Sequence, residues 1–117
     1  MDHHDVQDAQ IDLMREILGR GGTFTFRAFG HSMFPMILPG TEVTVRPLRS
    51  VPPPVGTILV AERSGTLVCH RLVRLTRGKQ GGPGPGALVY HLRGDAHREE
   101  DPPCDESQIM GEVEAVK

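Results

Sequence analysis

The sequence predicts a small, mainly β domain, a barrel or folded-over sheet with one helix at its N-terminus. Three observations carry this. A single amphipathic helical pattern opens the chain and stops at Gly19 and the pair Gly21-Gly22. Six short β-like segments come after it. Turn chemistry separates those segments at Pro39-Gly40, Pro52-Pro53-Pro54, Ser64-Gly65 and the run from Gly78 to Gly86. At 117 residues the chain is sized for one domain. It divides into a helix and linker over 1–22 and a single β domain over 23–117.

The helix is expected over Val6 to Leu18. Val6, Ala9, Gln10, Leu13, Met14, Ile17 and Leu18 recur at spacings of three and four and form one stripe that caps a core. The opposite face carries Asp5, Asp8, Asp12 and Glu16, an acidic pattern unlike that of a membrane-surface helix. His3 and His4 precede it in a frayed terminus. Thr23 to Phe29 and Glu42 to Arg46 alternate as half-buried strands do, and Thr57 to Ala61 is a compact apolar run. Thr66 to Leu75, Ala87 to Arg93 and Met110 to Val116 complete the set. Ser64-Gly65 joins the third and fourth segments in a hairpin. A second hairpin closes through the flexible loop GKQGGPGPG, which lacks the Gly-Lys-Ser/Thr ending that a phosphate loop needs.

Composition removes several function classes. The net charge is −2, and the 13 basic residues are scattered, never in a run. A sequence-independent grip on nucleic acid requires a basic face, so no nucleic-acid partner is expected. Cys69 and Cys104 stand too far apart for a metal knuckle or redox pair and read as ordinary thiols of a reducing compartment. No apolar stretch approaches the roughly 20 residues that span a bilayer, and the start MDHHDVQDAQ is acidic. A soluble, cytoplasmic protein is expected, with membrane contact at most peripheral. Nothing in the sequence implies a metal or an organic cofactor.

The stretch FGHSMFPMILPG, residues 29–40, sets Ser32 in an apolar, turn-forming run. A serine hydroxyl is a weak nucleophile until a base takes its proton and donors stabilise the oxyanion. Gly30 permits an unusual backbone angle just ahead of it, while Pro35 and Pro39 stiffen the chain beyond it. A lysine base is unavailable: Lys79 lies in the Gly/Pro loop, Lys117 is the last residue, and arginine stays protonated. Histidine remains. His31 is a sequence neighbour, but adjacent residues of an extended turn point apart, so it is a poor partner, and His91 and His97 are available. His70 is better placed, in the middle of the strand LVCHRLVRL, where Val68, His70 and Leu72 share one face. A histidine base needs a carboxylate to orient it, and RGDAHREEDPP offers Asp95, Glu99, Glu100 and Asp101.

These residues together resemble a known family. The blocks GHSMFPMILPGTEVTV, VGTILVAERSGTLVCHRLVRL, HLRGDAHREEDPP and IMGEVEAV are similar to the type I signal peptidases. The likeness is greatest to the endoplasmic-reticulum and archaeal branch, whose base is histidine. The self-cleaving SOS-repressor peptidases are related and share the serine box and the β-fold. The resemblance runs from about Phe26 to Val116 and implies a signal-peptidase/SOS-repressor-like β domain over 23–117. It implies Ser32 as nucleophile, His70 as general base, Asp101 as the aspartate of the triad and Asp95 as a brace of the same loop. Gly111 matches the glycine of the last strand. Gly30, Met33, Phe34 and Pro35 fall where the family contacts substrate. Departures accompany these matches. Ala96 stands where the family has Asn, Gly40-Thr41 and Gly56-Thr57 replace Gly-Asp, and Gly30 replaces a serine that aids the oxyanion in bacterial members. Neither the family's membrane anchor nor the repressors' DNA-binding domain is seen in these residues.

The expected function is therefore a serine endopeptidase that cleaves an extended leader or signal-type peptide by a Ser-His-Asp mechanism. The partner is a peptide or precursor protein added as an extra strand, with small side chains before the scissile bond. Only neutral imidazole accepts a proton, so activity is expected to rise with pH through the range where the base titrates. The apolar run Met33, Phe34, Met36, Ile37 and Leu38 would line the cleft or touch lipid, with half or more of it simply core. The alternative is a catalytically weak peptide-binding module that keeps the peptidase fold.

Overall fold

The structure is a computed structural model that describes residues 3–28, 36–78 and 86–117, with helix side chains from Ala9 onward. Its elements are α1 (His3–Gly19), β1 (Phe24–Arg27), β2 (Glu42–Arg46), β3 (Ile58–Arg63), β4 (Thr66–Arg77), β5 (Leu88–Arg93), β6 (Cys104–Asp105) and β7 (Ile109–Val116), with a single 3-10 turn at Glu106–Gln108. The mainly β class with one helix is as expected. Among the described residues the strands form one antiparallel sheet in the order β1-β2-β7-β3-β4-β5-β6. The pairing leaves β1 and β6 as edges, so the folded sheet describes it better than a closed barrel does.

Local chemistry explains the hairpins. Ser64 and Gly65 both have positive φ, 52° and 78°, the conformation a two-residue type I′ turn demands at its central positions. The flanking pair Arg63↔Thr66 starts a register that runs back to Ile58↔Arg71. The β4–β5 hairpin pairs Arg77↔Leu88 at its closed end, and Gly78 N–H donates to Ala87 O at 2.6 Å. Its GKQGGPGPG tip lies outside the described residues over 79–85. Val73 is bulged, because Leu72 pairs with Leu92 while Arg74 pairs with His91.

Side chains on alternate faces of the sheet fill two apolar clusters. One holds Ile11, Met14 and Leu18 of the helix against Val43, Val45, Val60 and Met110. The other joins Leu59, Ala61, Leu72, Tyr90, Leu92 and Cys104. β3 serves both, since Val60 points one way and its neighbours Leu59 and Ala61 the other. The helix stripe differs in phase from the expected one. Ile11, Met14 and Leu18 are buried, whereas Leu13 is 49 % exposed. Leu13 sits one residue, about 100°, around the helix from Met14, and periodicity alone places it in the stripe in preference to Ile11. The helix also starts earlier than expected, at His3. Two elements were not foreseen, β6 and the 3-10 turn. Asp105 caps that turn by accepting from Ser107 N–H at 2.9 Å, while Gln108 Oε1 accepts from Asp105 N–H at 3.0 Å.

β7 runs between β2 and β3, and one glycine makes that possible. A Cβ on Gly111 would meet the Arg46 carbonyl and lie 2.9 Å from Val45 Cγ1. Next to it in the strand, Glu112 is buried and accepts from Arg49 N–H at 2.7 Å and from Arg46 Nη2 at 3.2 Å. These bonds pin the turn after β2 to the centre of the sheet.

Candidate active site

His70 stands in the middle of β4, opposite the fully buried Leu59 of β3, and is itself 8 % exposed. Strand alternation sends Cys69 to the other face, against the helix-side cluster. Burial there pushes the Cys69 thiol up to about 12, which removes it as a nucleophile.

The carboxylate partner comes from the connection between β5 and β6. Asp101 N–H donates to Leu92 O at 2.8 Å, and Leu92 pairs with Leu72, two residues beyond His70. That backbone bond delivers the side chain: Asp101 Oδ2 and His70 Nδ1 are hydrogen-bonded, at 15 % and 10 % side-chain exposure. The tautomer that fits this bond carries its hydrogen on Nδ1 and its lone pair on Nε2. A histidine so held is fixed in ring orientation and tautomer, and the carboxylate stabilises the imidazolium that forms when Nε2 takes a proton.

The other acidic candidates serve different partners. Asp95 is gripped by Arg71, whose Nε donates to Oδ1 at 2.9 Å and whose Nη2 donates to Oδ2 at 2.8 Å. This fork holds the Asp95 carboxyl below the usual carboxylate range. Arg71 Nη1 also donates to Gly56 O at 2.8 Å, so the clamp reaches the turn before β3. Glu100 is bound by Arg74 through Nε and Nη2, each at 2.9 Å in its shorter contact, and its carboxyl is lowered by that bond. Glu99 is exposed. Of the four, Asp101 is the one whose carboxylate meets Nδ1 of His70.

Of the alternative histidines, His91 is buried and its Nε2 lies 2.7 Å from Thr76 Oγ1. Its Nδ1 is 3.7 Å from Glu100 Oε1. Burial, followed by the nearby Arg74 charge, pushes its pKa down, so it is a neutral tie within the β4–β5 hairpin. His97 lies beside His70, ring edge to ring face, with centroids 5.5 Å apart and planes at 86°. A turn sets it there, as its N–H donates to Gly94 O at 2.9 Å. Sequence reasoning offers His97 only as an alternative base. Its closeness to His70 depends on the return path of the loop, which no spacing encodes.

Ser32 and the residues around it, Gly30, His31, Met33, Phe34 and Pro35, lie outside the described residues. The residue before that segment is bonded to the turn ahead of β2. Ala28 N–H donates to Thr41 O at 2.9 Å, and Gly40 N–H donates to Ala28 O at 3.0 Å. Just past the segment, Ile37 is buried in the helix-side cluster, whereas Met36 and Leu38 are 59 % and 48 % exposed. Of the three described members of the apolar run, one is core and two are open, a smaller share of core than the half or more expected.

No helix among the described residues is long and apolar enough to cross a membrane. No curated protein matches the chain. A Peptidase S24-like family model matches residues 1–81, a stretch that contains both Ser32 and His70 and ends before Asp95 and Asp101. That match takes in well over half of the 117 residues, and the chain therefore belongs to the Peptidase S24-like family.

Proposed function

We propose that this chain is a serine endopeptidase of the signal-peptidase type, cleaving an extended leader or signal-type peptide, with Ser32, His70 and Asp101 as its triad. The observation that carries the reading is the hydrogen bond between His70 Nδ1 and Asp101 Oδ2. Serine peptidase chemistry is the activity of the family, and a histidine held by an aspartate is what that chemistry needs where the sequence offers no lysine suited to act as base.

In this mechanism His70 Nε2 takes the proton from Ser32 Oγ as Oγ attacks the scissile carbonyl carbon. The tetrahedral oxyanion is stabilised by backbone N–H groups of the Ser32 segment, that of Ser32 included. The imidazolium, stabilised by Asp101, then gives its proton to the departing amine. Water hydrolyses the acyl-enzyme by the same proton path in reverse. Asp95 takes no part in proton transfer. Through Arg71 it braces the start of the loop that ends in Asp101. Gly30, Met33, Phe34 and Pro35 shape the path along which substrate lies as an added strand, and the resemblance to signal peptidases implies small side chains before the scissile bond.

The test is cleavage of extended precursor peptides with small residues before the bond, by the wild-type chain and by Ser32→Ala. Cleavage that disappears in the variant is expected. Cleavage that persists would rule out Ser32 as nucleophile. Measurable affinity for the peptide without turnover would point instead to a binding module on a peptidase fold.

A further inference from the structure

The pair that orients the base has a third member capable of binding a metal ion. One donor atom each from His70, His97 and Asp101 lie within 4.8 Å of one another. The three differ in access: His70 is buried, Asp101 is half-buried and His97 is exposed. His97 is therefore the side of the cluster through which an ion enters. Two imidazoles and one carboxylate are the donor set that suits zinc and its neighbours in the first transition row, and a three-ligand set leaves a position for water.

We propose that His70, His97 and Asp101 form a binding site for a divalent transition-metal ion of the zinc class, and that occupancy switches off the base. Tetrahedral ligands at zinc bond lengths stand about 3.4 Å apart, so the donors must adjust around the ion. Ligation through His70 Nδ1 requires the hydrogen-bonded His70 and Asp101 atoms to part as the ion replaces the bridging hydrogen. Ligation through either ring nitrogen requires His97, the exposed member set in its turn by the backbone bond to Gly94, to swing in. Both ways of ligating His70 stop catalysis. Coordination through Nε2 occupies the lone pair that would take the Ser32 proton. Coordination through Nδ1 replaces the hydrogen that bridges to Asp101, and with it the tautomer and orientation of the ring. The metal exchanges with a proton or water at the site, and no electron transfer is involved. The inhibitory half of this inference rests on His70 being the base.

The experiment uses the full chain, purified in chelator and freed of it, with Co²⁺ as the spectroscopic probe and Zn²⁺ as competitor. Expected is one Co²⁺ per chain with the visible absorption of a low-coordinate site, displaced by Zn²⁺. In His97→Ala the affinity should fall on the order of tenfold or more, given that loss of a mere outer partner already costs about 10–100-fold. Asp101→Asn should weaken binding comparably, a second variant that keeps the shape of the site. Absence of binding, or an affinity unchanged in His97→Ala, would overturn the site. Peptide cleavage is then measured against free Zn²⁺. Reversible inhibition, relieved by chelator and shifted in His97→Ala by the same factor as the affinity, supports the switch. Tight binding through these three residues without inhibition would overturn the switch and remove His70 from the role of base, while leaving the metal site standing.

Discussion

In the proposed mechanism, replacing Asp101 by Asn isolates what the carboxylate contributes. The change keeps the shape of the side chain and removes its charge beside a His70 ring that is 10 % exposed. When His70 accepts a proton, the new imidazolium and the carboxylate face each other about 4 Å apart between charge centres. At an effective dielectric of about 20 their attraction is about 4 kcal/mol. Each 1.36 kcal/mol of transition-state stabilisation is worth a factor of ten, so the rate constant for acylation should fall about 1000-fold. The interaction is made in full only once the proton has moved, so the loss should appear in kcat and leave KM nearly unchanged. Steady-state cleavage of a fluorogenic extended peptide reads both constants, and circular dichroism confirms that the fold is retained. A drop of less than about tenfold, or one confined to KM, would mean that Asp101 does not stabilise a charge on His70.

Further outcomes are expected at the loop clamp, the buried histidine and the sheet. Breaking the Arg71–Asp95 fork with Asp95→Ala leaves a guanidinium only 28 % exposed without that carboxylate. It should destabilise the fold by about 1.5–3 kcal/mol in urea unfolding, and Arg71→Lys, with Asp95 in place, should keep only part of the bidentate bond. His91 has a folded pKa below its unfolded value of about 6.5, so the unfolded state binds more protons in the window between the two. Stability should therefore decline as pH falls below that value, and His91→Gln should flatten the decline of the urea midpoint. The lowered carboxyls of Asp95 and Glu100 act further down. Their contribution is present above their ordinary values near 3.8 and 4.5 and is lost as pH drops through the folded ones. Gly111→Ala forces a methyl against the Arg46 carbonyl and Val45. It should cost about 1–3 kcal/mol in the same unfolding assay, and a neutral result would contradict the close approach of β7 to β2.

Much of the fold was legible because period and punctuation agreed. Glu42–Arg46 alternates and is a strand over those residues, and Ser64-Gly65 is a hairpin turn because it supplies two positive φ angles. The misreadings lie where local pattern is silent. Leu13 and Ile11 are both apolar on a short helix, and only the position of the sheet decides which one faces it. β6 is two residues long behind Pro102-Pro103 and exists because Tyr90 pairs with Cys104, a contact no propensity announces. In the site, His70 stands out by its place in mid-strand. The choice among Asp95, Glu99, Glu100 and Asp101 could not be made from composition, and only the resemblance pointed to Asp101. The structure separates them physically: Arg71 and Arg74 take Asp95 and Glu100, and the backbone bond at Leu92 turns Asp101 toward His70. His97 is not legible as a neighbour of His70, because the turn at Gly94 and the loop's return along β5 bring them together.

In the proposed mechanism Ser32 reacts because His70 deprotonates it. The deciding measurement is the rate at which a serine-directed acylating probe modifies the chain, with the labelled residue identified by mass spectrometry. Modification at Ser32 is expected at a rate that falls by about a hundredfold or more, on the order of general-base contributions, in His70→Ala. Labelling elsewhere, no labelling, or labelling of Ser32 at an undiminished rate in His70→Ala would contradict it.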